Sequence, residues 1–293
     1  MSGVSKQAYH KGNGVGAARR AAREAFALEY IRGVRAKARG IGGGKLWQMY
    51  RRDVPEADRV GRDKFWDIID RHGLKVRRKR RKPRTTDSTH GLPLYPNLVR
   101  DFIPEAANQL WVSDITYMPV WLGSTGYAFC YLSLDTDAYS REIVGWAVGG
   151  DLGAGWSVQA LEMALCRLGN DGGGTAAPMH HSDRGVQYAS RDYTDILKRR
   201  HMRISMTENG DPKENAVAER VNSTVKNELL GGMRFTSVEE VRAAVAAAVD
   251  FYNNERPHMS LDMMTPAQAA QCTGEVRKRW RSFRDEAIKG AAG

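Results

Sequence analysis

The chain has 293 residues, of which 42% are hydrophobic and 27% are charged. The sequence contains neither an apolar run long enough to span a bilayer nor a targeting segment, so we expect a cytoplasmic protein without a membrane partner. Its three cysteines are far apart and form no CxxC pair, which disfavours disulfides and a zinc finger. The net charge of +11 is unevenly distributed along the chain. Residues 1–100 contain 25 Lys/Arg and 9 Asp/Glu, whereas residues 101–293 contain 20 Lys/Arg and 25 Asp/Glu. The basic N-terminal part should therefore attract phosphate groups.

The N-terminal part is predicted to be helical. Apolar spacing indicates helices over 17–39, 45–52 and 60–72, with the break "GIGGG" after the first and Gly73 as the C-cap of the last. Short helices with tight turns beside positive charge fit a helix-turn-helix region over residues 1–84.

A basic arm follows these helices. The stretch "KVRRKRRKPR" is either a solvated tail or a segment that tracks DNA phosphates, and beside a helix-turn-helix pattern we favour DNA. The predicted DNA contacts of this arm are Arg77, Arg78, Lys79, Arg80, Arg81 and Lys82. Residues 85–108 contain three prolines and are predicted to be a linker.

From residue 109 the hydrophobic period changes to that of strands. Three strand-like segments come first, with a turn near 135–141, and then helices alternate with short strands up to a helix over 213–229. This order predicts an α/β core over 109–230, in which helices cover a mixed sheet. Residues 231–293 are predicted to be a C-terminal helical extension with a basic tail.

Three carboxylates stand out in this core, because a two-metal nuclease or strand-transfer site needs about three from separate elements. Asp114 interrupts the apolar strand "WVSDITY", where a charge is costly to bury without a partner. Asp183 ends the strand "APMHHSD", and 35 residues separate it from Glu219. Helical spacing places Glu219, Asn222 and Lys226 on one face.

Other readings of these motifs remain open. In "HHSDRGVQ", His180 and His181 could bind zinc, but no second His/Cys pair has suitable spacing. A Ser/His/Asp relay is disfavoured because adjacent strand residues point to opposite faces, so we expect the histidines to pack and to support Asp183. Arg184 and Asn215 are expected to contact DNA or to make scaffold hydrogen bonds, and Asn222 is expected to contact DNA. Asp135 and Asp137 are rival carboxylates, which we interpret as turn residues.

Four ordered motifs resemble one family. "LWVSDITYMPV", "HHSDRGVQYAS", "ENAVAERVNSTVKNEL" and "FYNNERPHMSLDMMTPAQA" are similar to those of the D,D(35)E transposases of bacterial insertion sequences, most closely the second-frame product of the insertion sequence three family. The resemblance covers about residues 5 to 272. The chain departs from it at Glu214, where aspartate is usual, and at Arg220, where serine is usual; both departures concern DNA contacts rather than metal ligands.

The resemblance implies a ribonuclease H-like fold, with Asp114, Asp183 and Glu219 as catalytic ligands of two Mg²⁺ or Mn²⁺ ions and with Lys226 at the DNA. It further implies double-stranded DNA as substrate, a homo-oligomeric synaptic complex, and an upstream-frame partner or frameshift fusion. A protein of this kind is expected in the bacterial cytoplasm, at the nucleoid. Two other functions remain as alternatives. A ribonuclease H-like nuclease would not need the basic N-terminal region, and a DNA-binding regulator with an inactive core would tolerate loss of an acid.

Overall fold

The computed structural model describes residues 6–76, 91–100, 102–123, 126–168, 177–208 and 214–274. They fall into two compact units that divide between positions 80 and 81. The predicted arm at 77–82 and the basic tail beyond residue 274 lie outside the described residues. Among the residues that are described, no helix is both long and apolar enough to cross a membrane.

The first unit is helical. Helix α1 spans Lys6–Lys37, α2 spans Gly43–Asp53 and α3 spans Arg62–Arg71, with a 3₁₀ turn at Glu56–Asp58. The three predicted helices are confirmed, whereas their assignment as a helix-turn-helix stays a prediction.

Aromatic packing holds these helices together. The rings of Tyr50 and Phe65 lie 4.9 Å apart in the buried centre of the unit. Gly43 lets α2 approach α3, because a Cβ at this position would overlap the ring of Trp66. Gly73 adopts φ +63°, the left-handed conformation that ends a helix, as the sequence predicts.

The second unit is built on a mixed sheet. Its strands are β1 (Leu110–Leu122), β2 (Gly126–Asp137), β3 (Ile143–Gly149), β4 (Met179–Ser182) and β5 (Ile204–Met206). Their order is β3-β2-β1-β4-β5. The first three strands pair antiparallel, and β4 and β5 continue the sheet parallel to β1. The predicted mixed sheet flanked by helices is confirmed.

Helices connect and cover these strands. They are α4 (Ala154–Leu168), α5 (Val186–Ala189), α6 (Arg191–Arg199), α7 (Ala216–Ser223), α8 (Val238–Asn254) and α9 (Pro266–Ala269). The predicted helix over 213–229 is wrong in its bounds, because α7 begins at Ala216 and passes into a π-helical segment at Thr224–Leu229. The four-residue α5 was not predicted.

The sheet separates two hydrophobic layers. Trp111 packs with residues of α4, α5 and α6 on one face, and Val112 packs with Ala218 of α7 on the other. Side chains alternate along a strand, so Ser113 points to the α4–α6 layer and Asp114 to the α7 layer.

The segment predicted as a linker contacts this core. The Leu98 amide donates to Ser205 Oγ at 2.9 Å, and the Met206 amide donates to the Pro96 carbonyl at 3.3 Å. Residues 96–98 therefore lie along β5.

Candidate functional site

Strand register brings two of the three predicted acids side by side. Across the parallel pair of β1 and β4, Val112 lies opposite His181. Two residues further along, Asp114 lies within β1 and Asp183 directly follows β4. The two residues are therefore at the same level on neighbouring strands, which are about 5 Å apart. Both side chains are half-buried. The sheet thus forms a carboxylate pair from residues that are 69 positions apart.

A tight turn fixes Asp183. Its Oδ1 accepts a hydrogen bond from the Gly185 amide at 2.9 Å, just where α5 begins. A Cβ at Gly185 would lie 2.9 Å from that same oxygen, so a larger residue here would crowd the carboxylate. Arg184 lies half-buried within the turn, and its contact with DNA stays a prediction.

Helix α7 is anchored to β1 by two asparagines. Asn215 Nδ2 donates to the Ser113 carbonyl at 2.9 Å, and Asn222 Nδ2 donates to Asp114 Oδ2 at 2.7 Å. Both asparagines are buried. Glu219 lies between them at spacings of four and three, on the same stripe of the helix. These contacts give both asparagines a structural role, and their predicted DNA contacts remain untested.

The acid pair has the donor chemistry for a hard divalent cation. Asp114 and Asp183 offer carboxylate oxygens, which Mg²⁺ and Mn²⁺ prefer. Glu219 is exposed, on the helix that Asn222 ties to Asp114. Within the described ranges, no three His, Cys, Asp or Glu side chains are grouped closely enough to hold a metal ion. Among the described residues, the register of β1 and β4 thus pairs Asp114 with Asp183, and Glu219 does not join them in a group of three.

Lys226 lies in the π-helical segment. The sequence placed it on the face of Glu219 by assuming α-helical geometry as far as Leu229. A π turn contains more residues than an α turn, so the direction of Lys226 relative to α7 differs from that prediction. Such segments are frequent at functional sites.

The two rival carboxylates differ. Asp137 ends β2 and accepts the Ser140 amide, the Ser140 hydroxyl and the Asn108 amide, each at 2.7 Å, so it is the predicted turn residue. Burial is the largest influence on this carboxyl and raises its pKa. The interpretation of Asp135 as a turn residue is wrong, because it lies within β2 with 1% exposure.

Asp135 belongs to a buried polar network on the α4–α6 side of the sheet. It accepts a hydrogen bond from the Ser113 hydroxyl. Nε2 of His180 lies 2.7 Å from Ser113 Oγ and 2.8 Å from Tyr193 Oη. Because Ser113 precedes Asp114, this network fixes the backbone that presents the first acid. The sequence did not indicate it.

His181 links three elements. The Ser205 hydroxyl, which accepts the Leu98 amide, lies 2.8 Å from Nδ1, and Nε2 lies 3.0 Å from the Glu214 carbonyl. A carbonyl only accepts, so Nε2 carries the proton and the Ser205 hydroxyl donates to Nδ1. Burial, followed by the neighbouring His180, lowers the pKa of His181 to about 4, so the ring is neutral. His181 thus connects β4 and β5 to the start of α7.

The C-terminal motif also forms structure. Asn253 bonds to the outer edge of β3, where its Nδ2 donates to the Ile143 carbonyl at 2.9 Å and its Oδ1 accepts from the Ile143 amide at 3.0 Å. Arg256 forms a two-pronged ion pair with Glu228 of the π-helical segment, at 2.8 and 3.0 Å. Both residues therefore make hydrogen bonds within the protein scaffold.

Comparison with known proteins identifies the core. Residues 104–212 and 200–266 match two families that are both described as the integrase core domain. A provisionally named transposase of insertion element IS986/IS6110 from Mycobacterium tuberculosis is 31% identical over 89% of this chain and 92% of its own length. The IS629 transposase of Shigella sonnei is 33% identical over 77% and 72%. Transposase InsF of insertion sequence IS3A from Escherichia coli K12 is 34% identical over 68% and 67%.

Solved structures with similarity to the chain include viral integrases. The catalytic core domain of HTLV-2 integrase in complex with magnesium aligns with a TM-score of 0.44 and 17% identity, over 58% of this chain and all of that one. A chain of the simian T-cell lymphotropic virus intasome in complex with PP2A regulatory subunit B56 gamma aligns with a TM-score of 0.46 and 16% identity, over 83% of this chain and 77% of that one.

Proposed function

The chain belongs to the insertion sequence three family of transposases, which are DDE polynucleotidyl transferases with an integrase core, and we propose that Asp114, Asp183 and Glu219 are its catalytic carboxylates. The parallel register of β1 and β4, which sets Asp114 beside Asp183, is the observation that carries this assignment. The bond from Asn222 to Asp114 supports it, because it ties the helix of Glu219 to the same place.

The proposed reaction has two steps at one site. Water first attacks a phosphodiester at the end of the element and releases a 3′-hydroxyl. That hydroxyl then attacks a second phosphodiester in line, so one P–O bond forms as another breaks and strands are joined. The first step breaks one phosphodiester bond by hydrolysis, and the second forms one phosphodiester bond while it breaks another and releases the 3′-hydroxyl of the attacked strand, so neither step needs a nucleotide cofactor.

The carboxylates would hold Mg²⁺ or Mn²⁺, which supplies charge neutralisation at the transferred phosphoryl group and activates the attacking oxygen. The protein contributes the placement of its acids. Gly185 orients Asp183, and Asn222 orients Asp114. We propose Glu219 as the third ligand, from the exposed side of the pair.

DNA contacts are proposed at two places. The arm from Arg77 to Lys82 would neutralise phosphates away from the site, so binding should weaken steeply with added salt. Near the site we favour Lys226 and Arg184, because a cationic side chain attracts the DNA phosphates more strongly than the neutral amides of Asn215 and Asn222 do.

Joining two element ends requires that they are brought together, so we propose a complex of at least two copies. An upstream-frame partner or frameshift fusion is compatible with this proposal. A protein that acts on bacterial DNA should be found in the cytoplasm, at the nucleoid.

The test is a strand-transfer assay with the full chain, Mg²⁺ and a duplex that ends in the element's own terminal sequence. Nicked and joined products are expected on a denaturing gel. Asp114→Asn, Asp183→Asn and Glu219→Gln should each reduce both products at least about a hundredfold, as is usual when charge stabilisation of a transition state is lost. Asp195→Asn, at an exposed acid on α6, is the control and should retain activity.

The alternatives give different products. Cleavage of RNA–DNA hybrids without joining would favour the nuclease, and end binding without cleavage would favour the inactive regulator. Full activity in any of the three acid variants would show that the assigned site is wrong.

A further inference from the structure

The outer end of β2 is a strand edge without a partner strand among the described residues. β3 pairs with β2 only as far as Tyr131, which lies opposite Gly149. The segment Gly126–Cys130 therefore has β1 on one side and no described strand on the other. Its three central residues are exposed. An open strand edge presents unpaired amide and carbonyl groups, to which another strand can bond.

The register shows which backbone groups point to this open edge. The Trp121 amide donates to the Phe235 carbonyl at 2.7 Å, on the side of β1 that faces away from β2. Trp121 lies opposite Tyr127, and the backbone groups of two such opposed residues point away from each other. The amide and carbonyl of Tyr127 therefore point to the open edge. Those of Phe129 do so too, because the direction alternates from one residue to the next along a strand.

These four groups are placed so that a second copy of the same segment can satisfy them. When two copies run antiparallel about a two-fold axis at Ala128, Tyr127 of each copy lies opposite Phe129 of the other. Each of these two pairs exchanges two hydrogen bonds, so all four outward groups of both copies are used. The small side chain of Ala128 then lies at the axis, where opposed Cα atoms are about 4.5 Å apart.

The side chains around this edge are aromatic and uncharged. Tyr127 and Phe129 are 53% and 44% exposed. Their rings pack against each other and against Trp121 and Tyr117 of β1, with centres between 5.2 and 5.7 Å apart. Residues 117–134 contain no Asp, Glu, Lys or Arg. A two-fold axis brings each group near it close to its own copy, so the absence of charge avoids like-charge repulsion and leaves aromatic pairs across the two strands.

We propose that Gly126–Cys130 is an interface at which two copies of this chain join their sheets edge to edge. The paired segment is short, so the interface is small and we expect a weak dimer, with a Kd roughly in the micromolar range. The proposed function requires at least two copies, and this interface supplies one surface for them. Its use in strand joining rests on the proposed function, whereas the self-association can be measured without DNA or metal.

Sedimentation velocity of the full chain, without DNA or metal, tests the interface. The parent chain should be monomeric at about 1 µM and increasingly dimeric towards about 100 µM. Ala128→Lys places two like charges at the axis and should raise the Kd at least about tenfold. Its melting temperature should not change, because Ala128 is exposed. Ala246→Lys, the same change at an exposed alanine of α8, is the control and should leave the Kd unchanged.

A disulfide locates the contact. In a chain that carries Cys166→Ser and Cys272→Ser, Ala128→Cys should give a covalent dimer on mild oxidation, because opposed Cα atoms of paired strands are within disulfide range. Cys130 is buried and can remain. Mass spectrometry of the linked peptides should show that position 128 is joined to itself. Ala246→Cys in the same background is the control and should stay monomeric.

A parent chain that stays monomeric at every concentration would overturn the inference, as would a dimer that Ala128→Lys leaves intact. The alternative occupant is single-stranded DNA with its bases stacked on the aromatic rings, beside the guanidinium of Arg234, which lies 4.3 Å from the Trp121 ring centre. In that case Phe129→Ala would weaken the binding of a dT oligonucleotide in fluorescence anisotropy, while the parent chain remains monomeric. If the chain dimerises as expected but neither cleaves nor joins DNA, the interface stands and the proposed function fails.

Discussion

Arg256 should be among the most sensitive polar positions in the second unit. It is 3% exposed, and its guanidinium reaches Glu228 with two bonds and lies 2.6 Å from Nε2 of His258. The same group lies 5.5 Å from the ring centre of Tyr252. The ion pair ties the end of α8 to the π-helical segment that contains Lys226, so it should hold that segment in its unusual geometry.

Arg256→Met removes the charge and keeps much of the side-chain length. Removal of one partner from a buried ion pair costs about 3–5 kcal/mol, because the remaining charge stays buried without compensation. Glu228 keeps 19% of its side chain exposed, and water will relieve part of this cost, so we expect the lower end, about 3 kcal/mol. For a unit of this size, about 3 kcal/mol corresponds to a melting temperature lowered by about 6–12 °C.

Calorimetry of the second unit's transition, supported by urea denaturation, measures this loss. Lys198→Met is the control, because Lys198 and Asp195 form a pair with 57% and 60% exposure, and such pairs contribute about 0–1 kcal/mol. Glu228→Gln combined with Arg256→Met should cost clearly less than the sum of the single changes, since neither charge is then left alone. A cost for Arg256→Met no larger than for Lys198→Met, or simple additivity in the double variant, would refute the reasoning.

Two further predictions concern the sheet. Gly145→Ala should destabilise the second unit by about 1–3 kcal/mol or more in thermal unfolding, because its Cβ would overlap the backbone carbonyl of Ala160 in α4. Gly150→Ala is the control and should be nearly neutral, because the space around Gly150 is open. Equal effects of the two changes would contradict this packing. Iodoacetamide at pH 8 should label the exposed Cys166 and spare Cys130, because burial raises the pKa of the Cys130 thiol to about 11. Mass spectrometry measures the labelling of each cysteine. Rapid labelling of Cys130 would contradict this prediction and show that this part of β2 opens readily.

Sequence reasoning found the elements whose patterns are long enough to be specific. The apolar alternation of β1 and the charge inside it mark both a strand and Asp114, and the register with β4 then follows from the fold. The four residues of α5 contain too little pattern to separate a helical turn from the loop after Asp183. The burial of Tyr188, which lies in that turn, therefore becomes visible only in the structure.

Polar residues were the harder part. A buried asparagine, such as Asn215, has the same sequence signature as one that contacts DNA, because only the fold decides whether its amide meets water or a strand. Asp135 was misassigned for a related reason: it stands near a turn in sequence, but β2 continues to Asp137, so its side chain faces the layer that contains Ser113 and His180. The π-helical segment was not foreseen because no residue pattern distinguishes it from a continuing α-helix.

Two neighbouring residues of β1 explain how the chain can present an acid at a fixed position. Ser113 points to one face of the sheet, where its hydroxyl bonds to Asp135 and lies beside His180, and Asp114 points to the other, where Asn222 bonds to its carboxylate. The strand is therefore constrained from both faces at adjacent residues, and the Ser113 carbonyl is bonded to α7 as well. Because the residues that constrain Asp114 come from β2, β4 and α7, its position depends on the assembled unit.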